Sequence, residues 1–173
     1  MSLPDAEGVY AELASQLQRG LDYHAHLIGI HSGGAWLAER LARDLPGEHP
    51  IGFLDVSFYR DDYSQRGLKP KVQRSNIPFD VAGKRILLVD DVLYTGRSVR
   101  AAMNELFDYG RPASVELAVL VDRGGRELPI EAQYVGARVA CVRDAQIVLT
   151  RDEQGRFGLA VEPASEEGGT AYA

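Results

Sequence analysis

The chain has 173 residues, 45% hydrophobic and 25% charged, proportions that suit one compact domain with a sizeable core. A formal charge of -6 argues against broad electrostatic attraction to nucleic acid, and a single cysteine, Cys141, excludes an internal disulfide. No apolar stretch approaches the roughly 18 residues of a membrane span, and Met1 to Glu7 lack the basic and apolar regions of a signal peptide, so a cytoplasmic protein is expected.

In chain order, Val9, Leu13 and Leu17 recur at four-residue spacing behind Ser2, Pro4 and Asp5, predicting a helix near residues 5–19 that Gly20 stops. Leu27-Ile28-Gly29-Ile30 is a short apolar run, followed by Ser32-Gly33-Gly34 and then by Leu37, Ala38, Leu41 and Leu45 at helical spacing. The order reads strand, glycine turn, helix. A second strand is predicted from Ile51 to Tyr59. Residues 60–83 follow neither period and contain Gly67, Pro70, Pro78 and Gly83. A connection longer than about 12 to 15 residues favours a functional hood over a passive link. This one carries Arg60, Arg66, Lys69, Lys71 and Arg74 against Asp61, Asp62 and Asp80, a net positive flap.

Arg85-Ile86-Leu87-Leu88-Val89 is continuously apolar after its first residue, as in a strand covered on both faces of a parallel sheet. A helix then carries Val99, Ala102, Met103 and Leu106, with Gly110 and Pro112 past its end. Val115, Leu117, Val119 and Val121 alternate, and apolar stretches at 134–139, 146–149 and 157–161 predict further strands, for a sheet of about seven. Alternating strands and helices define an α/β class with a doubly wound, mostly parallel sheet flanked by helices. Residues 1–164 are expected to form one domain and the acidic 165–173 a flexible tail.

The apolar strand runs into Asp90-Asp91, which places two acids at the carboxyl end of a central strand, where open α/β sheets bind ligands. Thr95, Gly96 and Ser98 then open a helix, so backbone N–H groups, hydroxyls and the positive helix end converge where an anion belongs. Adjacent carboxylates suit the vicinal hydroxyls of a ribose and could steer a hydrated Mg²⁺. The bland alternative is a turn whose acids only cap the helix. Neither the triphosphate-binding Gly-x-x-x-x-Gly-Lys-Ser/Thr loop nor the dinucleotide Gly-x-Gly-x-x-Gly fingerprint occurs. His24, His26 and His31 lack the partners of a closed metal site, Cys141 reads as a small core residue, and Trp36 and Phe107 read as core or interface.

The segment Ile86 to Ser98 resembles the thirteen-residue signature for phosphoribosyl pyrophosphate (PRPP) in type I phosphoribosyltransferases. A closer likeness is to the PyrR family, pyrimidine operon attenuators that are also uracil phosphoribosyltransferases. It is carried by Asp55-Val56-Ser57-Phe58-Tyr59-Arg60-Asp61-Asp62, by Ile86 to Gly110-Arg111-Pro112, and by Leu120-Val121-Asp122-Arg123-Gly124-Gly125-Arg126-Glu127-Leu128-Pro129-Ile130.

The resemblance implies a phosphate turn at Tyr94, Thr95, Gly96, Arg97 and Ser98, with Asp90 and Asp91 on the ribose. It implies a pyrophosphate loop at Ser32, Gly33 and Gly34, aided by Tyr59 and Arg60, and Mg²⁺ carried with PRPP. The base would sit by Asp122, Arg123 and Gly124, although Asp122 and Arg123 could instead form a structural ion pair. Uracil and PRPP would give UMP and pyrophosphate in an assembly of at least two chains. An RNA-binding regulator that senses UMP or PRPP, and a purine phosphoribosyltransferase of the same fold, are the alternatives. The sequence departs from the family at His31 and Gly33, where RNA-regulating members read Lys-Thr-Arg-Gly across residues 31–34. It departs again at Gly125, where they carry His.

Overall fold

The computed structural model describes residues 2–57, 75–140 and 144–164. In chain order these form α1 (Ala6–Gly20), β1 (His26–Ile30), α2 (Gly33–Asp44), β2 (Ile51–Leu54), β3 (Arg85–Leu93), α3 (Arg97–Asp108), β4 (Ser114–Asp122), β5 (Tyr134–Arg138), β6 (Ala145–Arg151) and β7 (Phe157–Pro163). The first five strands make one parallel sheet in the order β2-β1-β3-β4-β5. The chain steps outward from β1 to β2 through α2, then crosses back to β3 and continues the other way through α3 to β4. The carboxyl ends of β1 and β3 therefore face loops that leave in opposite directions, and the crevice between them is where such sheets bind ligands.

The continuously apolar run in β3 serves two faces. Leu87 and Val89 pack with Leu13, Leu17, Leu37, Leu41 and Leu120 under α1 and α2. Ile86 and Leu88 pack with Ile28, Leu54, Val99, Leu106 and Val119 under α3. Each such side chain contributes about 1.5 to 3 kcal/mol by leaving water, so this central strand is anchored from above and below.

Three expectations need correction. The sheet does not hold seven strands: β6 and β7 pair separately and antiparallel, in register from Ala145↔Pro163 to Arg151↔Phe157. The turn between them is too short for the crossover that parallel neighbours require, and Asp152 closes it by accepting the N–H groups of Gln154 and Arg156. Strand β2 stops at Leu54 rather than Tyr59. Just beyond it, Asp55 Oδ1 accepts the Ser57 N–H at 2.9 Å, a local turn that competes with the ladder. Of the two residues read as core or interface, Trp36 packs against the core and Phe107 is 52% exposed on α3. The expected hood does not extend to residue 83: Asn76 bridges to Phe53, and Val81 is fully buried with Ile86 and Leu88, while residues 60–74, the tail 165–173 and Cys141 lie outside the described residues.

A charged cluster around Arg40 ties the separate hairpin to the helices. Arg40 donates two hydrogen bonds to Glu7, at 2.8 and 2.7 Å, with its guanidinium 4.0 Å from the Tyr10 ring centre. Glu7 also accepts the Phe157 N–H at 2.7 Å, and Tyr10 donates to Asp44. The Arg40 hydrogen bond, opposed by burial, holds the Glu7 carboxyl at about 2 against an ordinary 4.5. A carboxyl lowered by folding stabilises the protein above its unfolded pKa, and that contribution fades as pH falls from about 4.5 toward 2. With solvent screening allowed for, Glu7→Gln should cost about 1 to 2 kcal/mol at pH 7. Urea unfolding at pH 7 and pH 3 should show the gap from the parent narrowing in acid; an unchanged gap would refute the assignment.

Candidate active site

Strand β3 carries both acids inside its ladder with β4 and continues past them, Leu93 pairing with Asp122. Asp90 is buried and Asp91 half-buried. Asp90 Oδ1 accepts the Asp91 N–H and Asp91 Oδ1 accepts the Val92 N–H, each at 2.9 Å. These bonds set the direction of the carboxylates at the sheet rim. The capping alternative fails on the helix itself, because the cap position of α3 is Gly96, which has no side chain, and the first turn of α3 holds no acid.

The glycine turn after β1 meets these acids directly. A Cβ on Gly33 would lie 2.7 Å from Asp91 Cγ, and one on Gly34 would meet Val89 O and lie 3.0 Å from Asp90 Cα. The peptide between His31 and Ser32 is cis. Glycine is required here by close approach: α2 begins almost in contact with the β3 backbone, which brings the pyrophosphate-loop candidates Ser32, Gly33 and Gly34 beside Asp90 and Asp91.

On the other side of the acids, Thr95 is buried and its Oγ1 accepts the Arg97 N–H at 3.2 Å. Gly96 adopts φ +93° and leads into α3, so Tyr94 to Ser98 forms an elbow between strand and helix. The first turn of α3 holds no carboxylate, so an anion placed there would meet the positive helix end without repulsion from the helix itself.

Asp122, Arg123 and Gly124 lie at the end of β4, next to this elbow, but Asp122 and Arg123 do not pair. Asp122 Oδ2 accepts from Arg126 at 2.7 Å and its Oδ1 accepts the Gly124 N–H at 3.0 Å. Burial works to raise the Asp122 carboxyl; the bonds from Arg126 and Gly124 overcome it and hold the group below its ordinary value. Arg123 turns the other way, donating to Ala145 O at 2.7 Å with its guanidinium 3.9 Å from the Tyr94 ring centre. The ion partner sits four residues along because Gly124 and Gly125, at φ +72° and +78°, fold the chain back over β4.

Residue-by-residue reading of the sequence gives Arg126 and Glu127 no role. Arg126 donates to Tyr94 O at 2.8 Å, and Glu127 accepts from Arg97 at 2.9 Å. The signal that could have found them is the pair of glycines following the strand. Tyr59 and Arg60 lie outside the described residues. His26 contacts the His24 carbonyl and the Phe79 ring, His31 lies 5.4 Å from the Phe53 ring, and no group of three metal-binding side chains occurs among the described residues.

A parallel sheet in this order, with paired acids and a helix-opening elbow at its switch point, defines a phosphoribosyltransferase of the type I fold. A model of the phosphoribosyl transferase domain matches residues 3–145. Among solved structures, a hypoxanthine-guanine phosphoribosyltransferase from Bacillus anthracis superposes with a TM-score of 0.64 at 23% identity, covering 80% of this chain and 83% of that one. A hypoxanthine phosphoribosyltransferase from Staphylococcus aureus gives 0.58 at 27%, covering 78% and 73%. Curated relatives named bifunctional protein PyrR are 51% identical in Ralstonia nicotianae, covering 92% of this chain and 95% of that one, and 49% identical in Pseudomonas aeruginosa, covering 86% and 90%. The chain belongs to the PyrR family.

Proposed function

We propose that this phosphoribosyltransferase uses uracil: its N1 bonds to C1 of the PRPP ribose and loses a proton, the C1–oxygen bond to pyrophosphate breaks, and UMP forms. The carrying observation is the meeting of Asp90, Asp91, the glycine turn at Ser32, Gly33 and Gly34, and the elbow Tyr94 to Ser98 at one switch point. The elbow takes the 5-phosphate on Thr95, Gly96, Arg97 and Ser98. The acids accept the ribose hydroxyls and oppose the positive charge that builds on the sugar as its C1 bond opens. Backbone N–H groups of the glycine turn hold pyrophosphate. In this reading Tyr59, Arg60 and the hood residues up to 74 serve the pyrophosphate, and the base lies against the backbone by Asp122, Arg123 and Gly124.

Two carboxylates with no third ligand among the described residues fit a Mg²⁺ that keeps waters and arrives on PRPP oxygens better than a cation caged by protein. Asp90 and Asp91 would steer it, and it would supply charge to the leaving pyrophosphate. The same reading treats residues 1–164 as one cytoplasmic domain, 165–173 as a tail, and the working protein as at least a dimer, which light scattering reads directly.

Protein, Mg²⁺, PRPP and labelled uracil should yield UMP, with hypoxanthine, guanine and adenine competing poorly. Nucleotide product from a purine alone would reassign the substrate, and no product at all would remove the reading. The curated relatives are named bifunctional, which favours a second activity, and the likeness to pyrimidine operon attenuators makes operon RNA its candidate partner. Filter binding to a leader RNA with and without UMP, at several salt concentrations, tests it; the absence of salt-dependent retention rejects it.

A further inference from the structure

The loop after β4 grips the phosphate elbow from behind. Arg126 donates to the carbonyl of Tyr94 at 2.8 Å. The N–H groups of Glu127 and Leu128 both donate to the carbonyl of Thr95, at 3.0 and 3.1 Å. Glu127 pairs with Arg97, and Ile130 lies where a Cβ on Gly96 would come within 3.0 Å. A peptide unit is planar, so a carbonyl held in one direction aims the N–H of the next residue in the opposite one. The Tyr94 carbonyl thus aims the Thr95 N–H, and the Thr95 carbonyl aims the Gly96 N–H. Those N–H groups belong to the anion cradle, yet their orientation is set by residues outside it.

Arg126 also reaches the other way. Its second donor nitrogen holds Asp122 at 2.7 Å, at the end of β4, and Asp122 in turn accepts the Gly124 N–H. One planar guanidinium therefore spans the phosphate elbow and the strand end beside the base. Its side chain is 25% exposed and that of Asp122 9%, so the pair works largely out of water.

We propose that Arg126 is a positioning residue that couples the two halves of the site: phosphate bound at the elbow steadies the Tyr94 peptide, and through Arg126 and Asp122 it steadies the backbone at residues 122–124 against which the base lies. The proposal rests on the uracil reading above. Coupling of this kind is reciprocal, each ligand tightening the other by the same factor. Lysine at residue 126 would keep the positive charge beside Asp122 but lacks the planar fork that serves two acceptors at once.

Equilibrium dialysis of labelled uracil, with and without saturating ribose 5-phosphate, tests it on the full chain. Ribose 5-phosphate should tighten uracil at least about fivefold in the parent and less than about twofold in Arg126→Lys and Arg126→Gln. Arg126→Lys should melt close to the parent, which separates lost coupling from lost folding. Coupling of parental size in both variants overturns the proposal. Uracil that binds the parent with no response to ribose 5-phosphate overturns it too and leaves the uracil assignment standing. A parent that never binds uracil removes the substrate assignment and the coupling with it.

Discussion

Asp90→Asn combined with Asp91→Asn is expected to weaken PRPP binding by at least about a hundredfold while the protein still melts within a few degrees of the parent. Hydrogen bonds to charged groups are worth about 1.5 to 3 kcal/mol each, so losing two carboxylate acceptors costs about 3 to 6 kcal/mol of ribose recognition. Folding is spared because asparagine keeps an oxygen in the position that accepts the Asp91 and Val92 N–H groups. Calorimetric titration with PRPP and a thermal melt measure the two halves of this expectation. Binding near parental strength would show that the acids serve the strand and not the sugar.

Gly34→Ala is expected to damage both the fold and the site. Its Cβ would meet the Val89 carbonyl and come within 3.0 Å of Asp90 Cα, backbone atoms of a strand anchored on both faces. The turn has little room to retreat, since Gly34 O already packs so closely over Gly29 that a Cβ there would lie 2.6 Å from it. Overpacking of this kind costs about 1 to 3 kcal/mol or more, and at roughly 2 to 4 °C per kcal/mol for a chain of this size the melt should drop by several degrees. PRPP affinity should fall with it, because α2 can make room only by moving the glycine turn away from Asp91. A melt and an affinity both equal to the parent's would mean that α2 shifts without consequence.

The elements legible in the sequence are those whose physics is local. Strand β3 shows itself by an apolar run without alternation, and α3 by Val99, Ala102, Met103 and Leu106 with a glycine after its end. The elbow is legible for the same reason, since Asp90, Asp91, Thr95, Gly96 and Ser98 lie within nine consecutive residues. What the sequence conceals depends on long-range packing. Strands β6 and β7 have ordinary apolar patterns, and nothing in them says that they pair with each other instead of extending the sheet. Gly33 and Gly34 read as a phosphate cradle, but the structure adds a second demand, room for Asp91 and for the β3 backbone. The ion partner of Asp122 escapes a sequence reading because the neighbour Arg123 is the obvious candidate, whereas the true partner lies one folded loop away.

The most direct test of the account is a crystal of the protein soaked with ribose 5-phosphate or UMP. The phosphate should rest on the N–H groups of the Tyr94 to Ser98 elbow, with the ribose hydroxyls on Asp90 and Asp91. Density for the ligand in a different crevice, with the elbow vacant, would contradict it.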